Sequence, residues 1–229
     1  MTSDPGQRVR GLVLAGGQSR RFTHGAKALE PLGGIPMVAH VLRRLLPQVE
    51  ATSLSTGPGS FALDRLPGEL QGITCLPDAE PRFRGPLAGL AVGLAALAAE
   101  LAPSAPADPS TAWLQLAPCD APFLPRDLVE RLLAEASGQP AASCLAVVPR
   151  DGEQLQPTFA LWHVETLEPV RTALAERGGS GLLDVLRRLP HRVVDWPGAT
   201  PPPFFNVNTR DDLEAAADWL QSTDSSAAR

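Results

Sequence analysis

This sequence of 229 residues has few cysteines and no excess of positive charge. The three cysteines, Cys75, Cys119 and Cys144, form no pair with the spacing of a metal knuckle, and their odd number disfavours a disulfide framework. We therefore expect a reducing compartment. The 20 Lys and Arg residues are outnumbered by 25 Asp and Glu, so the net charge is −5, whereas proteins that mainly bind nucleic acid are usually basic. Nucleic acid is therefore not an expected partner.

The sequence also lacks an apolar run long enough for a membrane. Residues 1–10 contain no apolar core of the kind found in signal peptides. The apolar stretch at residues 86–101 is shorter than the roughly 20 residues that span a bilayer. We expect a cytoplasmic protein without a membrane partner.

Strand and helix patterns alternate along the first part of the chain. Apolar runs typical of buried strands lie at 9–14, 51–56, 72–77 and 111–117. Helical patterns lie at 35–46, 86–101 and 125–137. This alternation predicts a doubly wound α/β fold, with a mainly parallel but mixed sheet and helices on both faces.

The later part of the chain has a less regular order. Strand patterns lie at 142–148, 157–162 and 191–195, the first two joined through a turn at Asp151 and Gly152. Helical patterns lie at 164–176, 180–189 and 210–220. We predict one domain over residues 1–220 and a flexible polar tail over 221–229.

The first strand pattern ends in a glycine-rich segment that carries basic residues. Gly16 and Gly17 would let a backbone approach a ligand closely and leave amide groups available. Arg20, Arg21 and Lys27 follow, and their charges suit a phosphate ester. Neither G-x-x-x-x-G-K-[ST] nor G-x-G-x-x-G is present, so a glycine turn with solvated basic residues remains the alternative.

Asp120 follows the strand pattern at 111–117 and lies between two prolines. Ligands of such sheets bind beyond the carboxyl ends of the strands, where this carboxylate is expected. Mg²⁺ usually takes one or two protein carboxylates and leaves its other positions to water and substrate phosphates. Asp120 is therefore a candidate Mg²⁺ ligand, and the alternative is an Asp that only caps a turn or a helix.

Two other segments have both a binding and a structural interpretation. The segment from Gly85 to Gly89 opens a helical pattern, where free amides favour an anion, but its glycines equally suit close packing of helix on sheet. Asn206 and Asn208 precede the last helical pattern, and side-chain amides can recognise a polar heterocycle. Asn208 or Thr209 has the alternative role of helix N-cap.

Together, these segments resemble the molybdenum cofactor guanylyltransferases, a group of nucleotidyltransferases with a Rossmann-like sheet. The matching segments occur in family order: LAGGQSRRF at 14–22, Lys27, GPLAG at 85–89, PCDAPFLP at 118–125, QPTFAL at 156–161 and FNVNT at 205–209. The resemblance implies transfer of GMP from GTP to molybdopterin, with or without bound molybdenum, which forms the guanine dinucleotide cofactor and releases pyrophosphate.

The resemblance also implies roles for single residues. The GTP site would comprise Leu14, Ala15, Gly16, Gly17, Lys27, Ser55, Asp78, Gly85 and Asp120. Arg21, Lys27 and Asp120 would carry catalysis by neutralising charge, with Mg²⁺ on Asp120. Asn206 and Asn208 would face the pterin. The nucleotide-binding part would cover about 9–137 and the second-substrate part about 138–220, and molybdoenzyme chaperones or other proteins of cofactor biosynthesis are candidate partners.

Two positions depart from the family pattern. Ala26 stands where the family usually has an Asp before the lysine, and Ser55 stands where it usually has an Asn. A serine can make one hydrogen bond but not the paired contacts of an amide, and the two departures together leave nucleotide affinity and base choice open. Three alternatives stay open: cytidylyl transfer to the same pterin, transfer to a sugar phosphate, and nucleotide binding without catalysis.

Overall fold

The structure is a computed structural model that describes residues 7–16, 27–57, 61–77, 85–101, 112–137, 143–176 and 181–227. The strands are β1 (Arg8–Leu14), β2 (Pro31–Leu32), β3 (Ile35–Pro36), β4 (Ala51–Gly57), β5 (Thr74–Pro77), β6 (Ala112–Pro118), β7 (Ala146–Asp151), β8 (Gln154–Leu155), β9 (Leu161–His163) and β10 (His191–Trp196). The α-helices are α1 (Met37–Leu45), α2 (Pro86–Leu101), α3 (Leu128–Ala136), α4 (Leu167–Ala175), α5 (Leu182–Arg188) and α6 (Arg210–Ala227). Within these ranges, no helix is both long and apolar enough to cross a membrane.

Eight strands form one mixed sheet in the order β10-β7-β9-β6-β1-β4-β5, with β8 paired to β7. Strands β5, β4, β1 and β6 are mutually parallel, and β10 is parallel to β7. Strand β9 runs antiparallel to both β6 and β7. In the register of the parallel part, Leu14 lies opposite Ser55 on one side and Pro118 on the other. The carboxyl ends of these strands therefore meet at one edge, and the predicted fold class is confirmed.

Consecutive side chains of β1 enter two different cores, because neighbouring residues of a strand point to opposite faces of the sheet. Val13 packs with α1 and α3 on one face, and Leu12 packs with α2, α4 and α5 on the other. Both side chains are fully buried. Helix α6 covers a smaller third cluster that contains Met37 and Phe123.

Helix α2 approaches the sheet closely because it has glycines where the strands touch it. A Cβ at Gly89 would lie 2.5 Å from Leu14 Cδ2 and 2.7 Å from Ser55 Oγ, and one at Gly93 would lie 2.5 Å from Leu12 Cδ2. Real side chains do not tolerate such distances, so this part of the structure favours the packing role for Gly89. Gly85, just before the helix, has φ +92°, a conformation that favours glycine.

The predicted start of the third helix is wrong. The proline at 125 precedes α3, which begins at Leu128. Gln48, from the short 3-10 helix after α1, donates to the Pro125 carbonyl at 2.8 Å and accepts from the Val129 amide at 3.0 Å. This remote side chain satisfies an amide of the first turn, a contact that no local pattern reveals.

Other predicted boundaries also move. Residues 157–159 form a 3-10 turn rather than strand, because Gln115, fully buried in β6, donates to the Phe159 carbonyl at 2.8 Å and holds the turn against the sheet. Strand β7 begins at 146, and the first helix begins at Met37 because residues 35–36 pair with β2.

Helix α6 continues to Ala227, so most of the predicted tail is helical. Trp219 anchors this helix by packing edge-on against Phe123 and Phe205.

Candidate functional site

A pocket of about 430 Å³ opens at the sheet edge where β1 and β6 end. Its lining residues come from segments far apart in the chain: Leu14, Ala15, Gly16, Lys27, Ala28, Pro86, Pro118, Cys119, Asp120, Thr158, Asn206 and Asn208. This is the edge at which open α/β sheets bind ligands. The location matches the prediction from the strand-end motifs.

Backbone hydrogen bonds extend the sheet into the rim of this pocket. The Ala15 amide donates to the Ser55 carbonyl at 2.8 Å, and the Cys119 amide donates to the Leu14 carbonyl at 3.1 Å. A Cβ at Gly16 would lie 2.5 Å from the Gly57 amide nitrogen, so the close approach of these two chain segments requires glycine there. The rim is therefore a fixed main-chain surface.

Lys27, Asp120 and Asn208 meet in the pocket. The Lys27 ammonium forms an ion pair with Asp120 Oδ2 and donates to Asn208 Oδ1 at 2.7 Å. The side chains of the ion pair are 14% and 17% exposed, so the pair faces the pocket without being fully solvated. One group with positive charge and one with negative charge are thus positioned beside the main-chain rim.

The segment before α6 is tied to the end of β6 and to its own helix. The Val207 amide donates to the Asp120 carbonyl at 2.9 Å. Asp212 Oδ2 accepts from the Asn208 and Thr209 amides, each at 2.8 Å, and the Asp212 amide donates to Thr209 Oγ1 at 3.1 Å. Thr209 and Asp212 thereby form a reciprocal cap at the start of α6. Thr209, not Asn208, supplies the capping side chain.

The charges around Asp212 agree with this geometry. Partial desolvation favours its neutral form, but hydrogen bonds from Asn208 and Thr209 and the charge of Lys27 outweigh that effect. They hold the pKa of Asp212 below its ordinary value. Asp212 therefore accepts these hydrogen bonds as a carboxylate at neutral pH.

Cys119 lies in the pocket wall beside Asp120. Burial, followed by the negative charge of Asp120, raises the pKa of the Cys119 thiol to about 12. The thiol is protonated at neutral pH and is a poor nucleophile, since nucleophilic attack requires the thiolate. Cys119 therefore serves as a packing residue of the pocket wall.

Several predicted site residues are not in the pocket or cannot be placed. Ser55 is 3% exposed, with its hydroxyl directed at Gly89 beneath α2, and only its carbonyl takes part in the rim. Gly85 lies at the start of α2 without lining the pocket. The remaining predicted residues lie outside the described residues: Gly17, Arg20, Arg21, Ala26 and Asp78.

Thr158 is a pocket residue to which sequence reasoning assigned no role. It lies in the 3-10 turn Pro157–Phe159, which follows β8. The segment QPTFAL that contains it is one of the matching motifs, and that match was the available signal.

The family model described as the MobA-like NTP transferase domain matches residues 11–193. The molybdenum cofactor guanylyltransferase of Bradyrhizobium sp. (strain ORS 278) is 37% identical over 218 residues, which cover 94% of this chain and 95% of that one. In fold, the chain is similar to molybdopterin-guanine dinucleotide biosynthesis protein A from Archaeoglobus fulgidus, with a TM-score of 0.68, 22% identity and coverage of 93% and 99%. It is also similar to Rv0371C of Mycobacterium tuberculosis H37Rv in complex with manganese, with a TM-score of 0.61, 16% identity and coverage of 93% and 98%.

Proposed function

The chain belongs to the MobA-like nucleotidyltransferase family, and from that premise we propose that it transfers GMP from GTP to molybdopterin, forming molybdopterin guanine dinucleotide and pyrophosphate. The family inferred from the sequence motifs is confirmed. The observation that carries the activity is the Lys27–Asp120 pair, placed in a pocket at the ends of β1 and β6. The curated relative with the guanylyltransferase name matches nearly the whole chain, which supports this substrate pair.

The proposed reaction needs no protein nucleophile. A phosphate oxygen of molybdopterin attacks the α-phosphorus of GTP, and the bond from that phosphorus to the oxygen bridging to the β-phosphate breaks. The electron pair of that bond leaves with pyrophosphate. Because the attacking phosphate is already anionic, the enzyme has to position the two substrates and stabilise negative charge. The protonated thiol of Cys119 is consistent with this division of work.

The donor set of the pocket fits a divalent cation that is shared with substrate. Among the described residues, Asp120 is the one carboxylate that lines the pocket, and no group of three or more His, Cys, Asp or Glu is arranged to hold a metal. Mg²⁺ commonly uses one or two carboxylates and completes its shell with water and phosphate oxygens. We propose Asp120 as its ligand; the bound ion would neutralise charge on the phosphates.

We propose the roles of the other residues from the family resemblance and from their place in the pocket. The main-chain rim at 14–16 would contact the nucleotide, and Lys27 would contact its phosphates. Asn206 and Asn208 would face the pterin. The roles of Arg21, Gly17 and Asp78 remain proposals that rest on the family resemblance alone.

The proposed two parts of the chain share one pocket. In the proposed division, Lys27 and Asp120 would belong to the nucleotide-binding part over about 9–137, whereas Asn206 and Asn208 would belong to the second-substrate part over about 138–220; all four residues line the pocket. The two reacting phosphates would meet where these parts join. Binding of Mg²⁺, binding of the pterin and contacts with further partner proteins are likewise part of this proposal.

The test compares nucleotides before it measures turnover. A ligand that binds only the native state raises the melting temperature with the logarithm of its saturation, so GTP with Mg²⁺ should raise it more than CTP or ATP at equal concentration. Pyrophosphate release should then require GTP, molybdopterin and Mg²⁺ together. A stronger shift with CTP would indicate the cytidylyl alternative, and binding without pyrophosphate release would indicate a nucleotide-binding protein without this activity.

A further inference from the structure

Lys27 is the only lysine in the sequence, so the position of one ammonium group determines what lysine can do in this pocket. Asn208 accepts a hydrogen bond from it, and the backbone of Asn208 is in turn held by Asp212. We propose that Asp212 is a positioning residue for nucleotidyl transfer, which acts through Asn208 to hold Lys27 in place. The inference rests on the proposed function in so far as Lys27 contacts the phosphates of GTP.

Hydrogen bonds connect Asp212 to Lys27 through Asn208. Asp212 Oδ2 accepts from the Asn208 amide at 2.8 Å, and Asn208 Oδ1 accepts from Lys27 Nζ at 2.7 Å. On the other side, the Val207 amide donates to the Asp120 carbonyl at 2.9 Å. The backbone around Asn208 is thus fixed from both directions, by the helix cap and by the end of β6.

The Asn208 and Thr209 amides directly precede α6, and the Asp212 side chain satisfies them because the helix offers no backbone carbonyl to amides at this end. Water could satisfy them if the Asp212 side chain were removed, but water would not fix the direction of the Asn208 side chain. The helix would persist, while the acceptor for Lys27 would become mobile. A small displacement of a positioned group is enough to reduce binding and turnover substantially.

Asp211 provides a matched control on the same turn. It carries the same charge at almost the same distance from the helix end, is exposed, and has a side chain that makes no hydrogen bond within the part of the chain that the structure describes. Asp211→Ala and Asp212→Ala therefore each remove one negative charge from the first turn of the helix, and Asp212→Ala also removes a charge that interacts with Lys27. Only Asp212→Ala removes the support of Asn208.

The first measurement is GTP affinity in the presence of a chelator, which excludes any contribution of a metal ion. We expect Asp212→Ala to weaken GTP about tenfold, the lower end of what a hydrogen bond to a charged group contributes. Asp211→Ala should stay within about twofold. Asp212→Asn keeps an acceptor oxygen and should recover most of the affinity.

A role confined to helix stability would give a different pattern. Loss of the helix cap in Asp212→Ala should lower the melting temperature by about 2–4 °C for a domain of this size, whether or not GTP binding changes. Asn208→Ala separates the two roles, because groups that act in series are not additive. In the Asn208→Ala background, Asp212→Ala should still lower the melting temperature but should weaken GTP no further.

A spectroscopic measurement does not depend on the substrate at all. Protein grown with lysine labelled at Cε gives one lysine signal, which belongs to Lys27. Asp212→Ala should shift or broaden this signal in the ligand-free protein, and Asp211→Ala should leave it unchanged. An unchanged signal together with unchanged GTP affinity in Asp212→Ala would overturn the proposal. A wild-type protein that fails to bind GTP would instead contradict the proposed function, while the lysine signal would still report on the positioning.

Discussion

Lys27 and Asn208 are 181 positions apart in the sequence, and a hydrogen bond of 2.7 Å joins the Lys27 ammonium to the Asn208 side chain. The packing of α6 on the domain makes this contact possible. Trp219 of α6 packs edge-on against Phe123, only a few positions after Asp120, with ring centroids 5.6 Å apart. The apolar contact holds α6 against the segment that carries Asp120, the ion-pair partner of Lys27, so the docking of the last helix completes the pocket.

Replacing Asp120 by Asn should reduce turnover by about two powers of ten or more, the scale seen when an electrostatic stabiliser is removed. The amide keeps the size and an acceptor oxygen for Lys27, so the change isolates the lost charge. Pyrophosphate release at several Mg²⁺ concentrations measures it. Asp127→Asn, an exposed position before α3, is the control and should behave like the wild type. Near-normal turnover of Asp120→Asn would remove this residue as the metal ligand.

Replacing Lys27 by Ala should weaken GTP more than GMP, because we place its ammonium on the β- and γ-phosphates. The expected loss for GTP is about 1.5–3 kcal/mol, typical of a hydrogen bond to a charged group. Titration calorimetry with both nucleotides provides the comparison. Equal losses for the two would show that Lys27 does not hold the triphosphate tail.

The sequence predicts the strand-end residues of the site better than their contacts. Asp120 comes directly after a strand pattern and Lys27 lies in the segment that follows the first one, and parallel strands bring their ends to one edge. The contact of Asn208 with Lys27 depends on where α6 docks, which is a tertiary property. Ser55 shows the opposite case: strand alternation directs its side chain under α2, so a position expected to contact the nucleotide is buried against Gly89.

Contacts between residues that are distant in sequence also limit how well the fold can be predicted. The strong patterns predict α1 and α2 closely, including the start of α2 at its proline. The start of α3 depends on the side chain of Gln48, and the turn at 157–159 depends on the buried amide of Gln115. Both contacts join residues that are distant in sequence, so local periodicity cannot reveal them.

Gly89→Ala should destabilise the protein by about 1–3 kcal/mol, the usual cost of overpacking. The new methyl group would lie 2.5 Å from Leu14 Cδ2 and 2.7 Å from Ser55 Oγ, so the helix or the strands must shift. Urea unfolding measures the loss. Gly68→Ala is the control, because a Cβ there meets no atom within 4 Å and the residue does not have positive φ. A neutral Gly89→Ala would mean that α2 can move away from the sheet freely.

Because of His40, the free energy of unfolding should decrease as the pH falls below about 6.5, the ordinary pKa of histidine. Burial, together with the charges of Arg43 and Arg44, lowers the pKa of His40 despite its hydrogen bond to the Leu32 carbonyl. The unfolded chain therefore takes up a proton before the folded chain does, and the free energy of unfolding decreases until the pH passes the lowered pKa. His40→Gln keeps a hydrogen-bond donor and should reduce this slope in urea unfolding between pH 7 and pH 5. Identical slopes in the two proteins would contradict the assignment.

Asn206 tests the pterin side of the pocket separately from the phosphate side. Its Nδ2 donates to the Phe204 carbonyl at 3.4 Å, a weak contact, and its side chain lines the pocket without a hydrogen bond to Lys27 within the described residues. A pterin has many donors and acceptors, and a buried polar group left unpaired is costly, so this contact should discriminate strongly.

Asn206→Ala should therefore keep GTP affinity within about twofold while it greatly raises the concentration of molybdopterin needed for turnover. Asn208→Ala is the informative comparison, because its side chain contacts Lys27 and its loss should weaken GTP as well. Binding of GTP and pterin-dependent pyrophosphate release, measured on both variants, distinguish the two residues. If Asn206→Ala loses GTP binding and keeps its dependence on molybdopterin, the segment before α6 serves the nucleotide and not the second substrate.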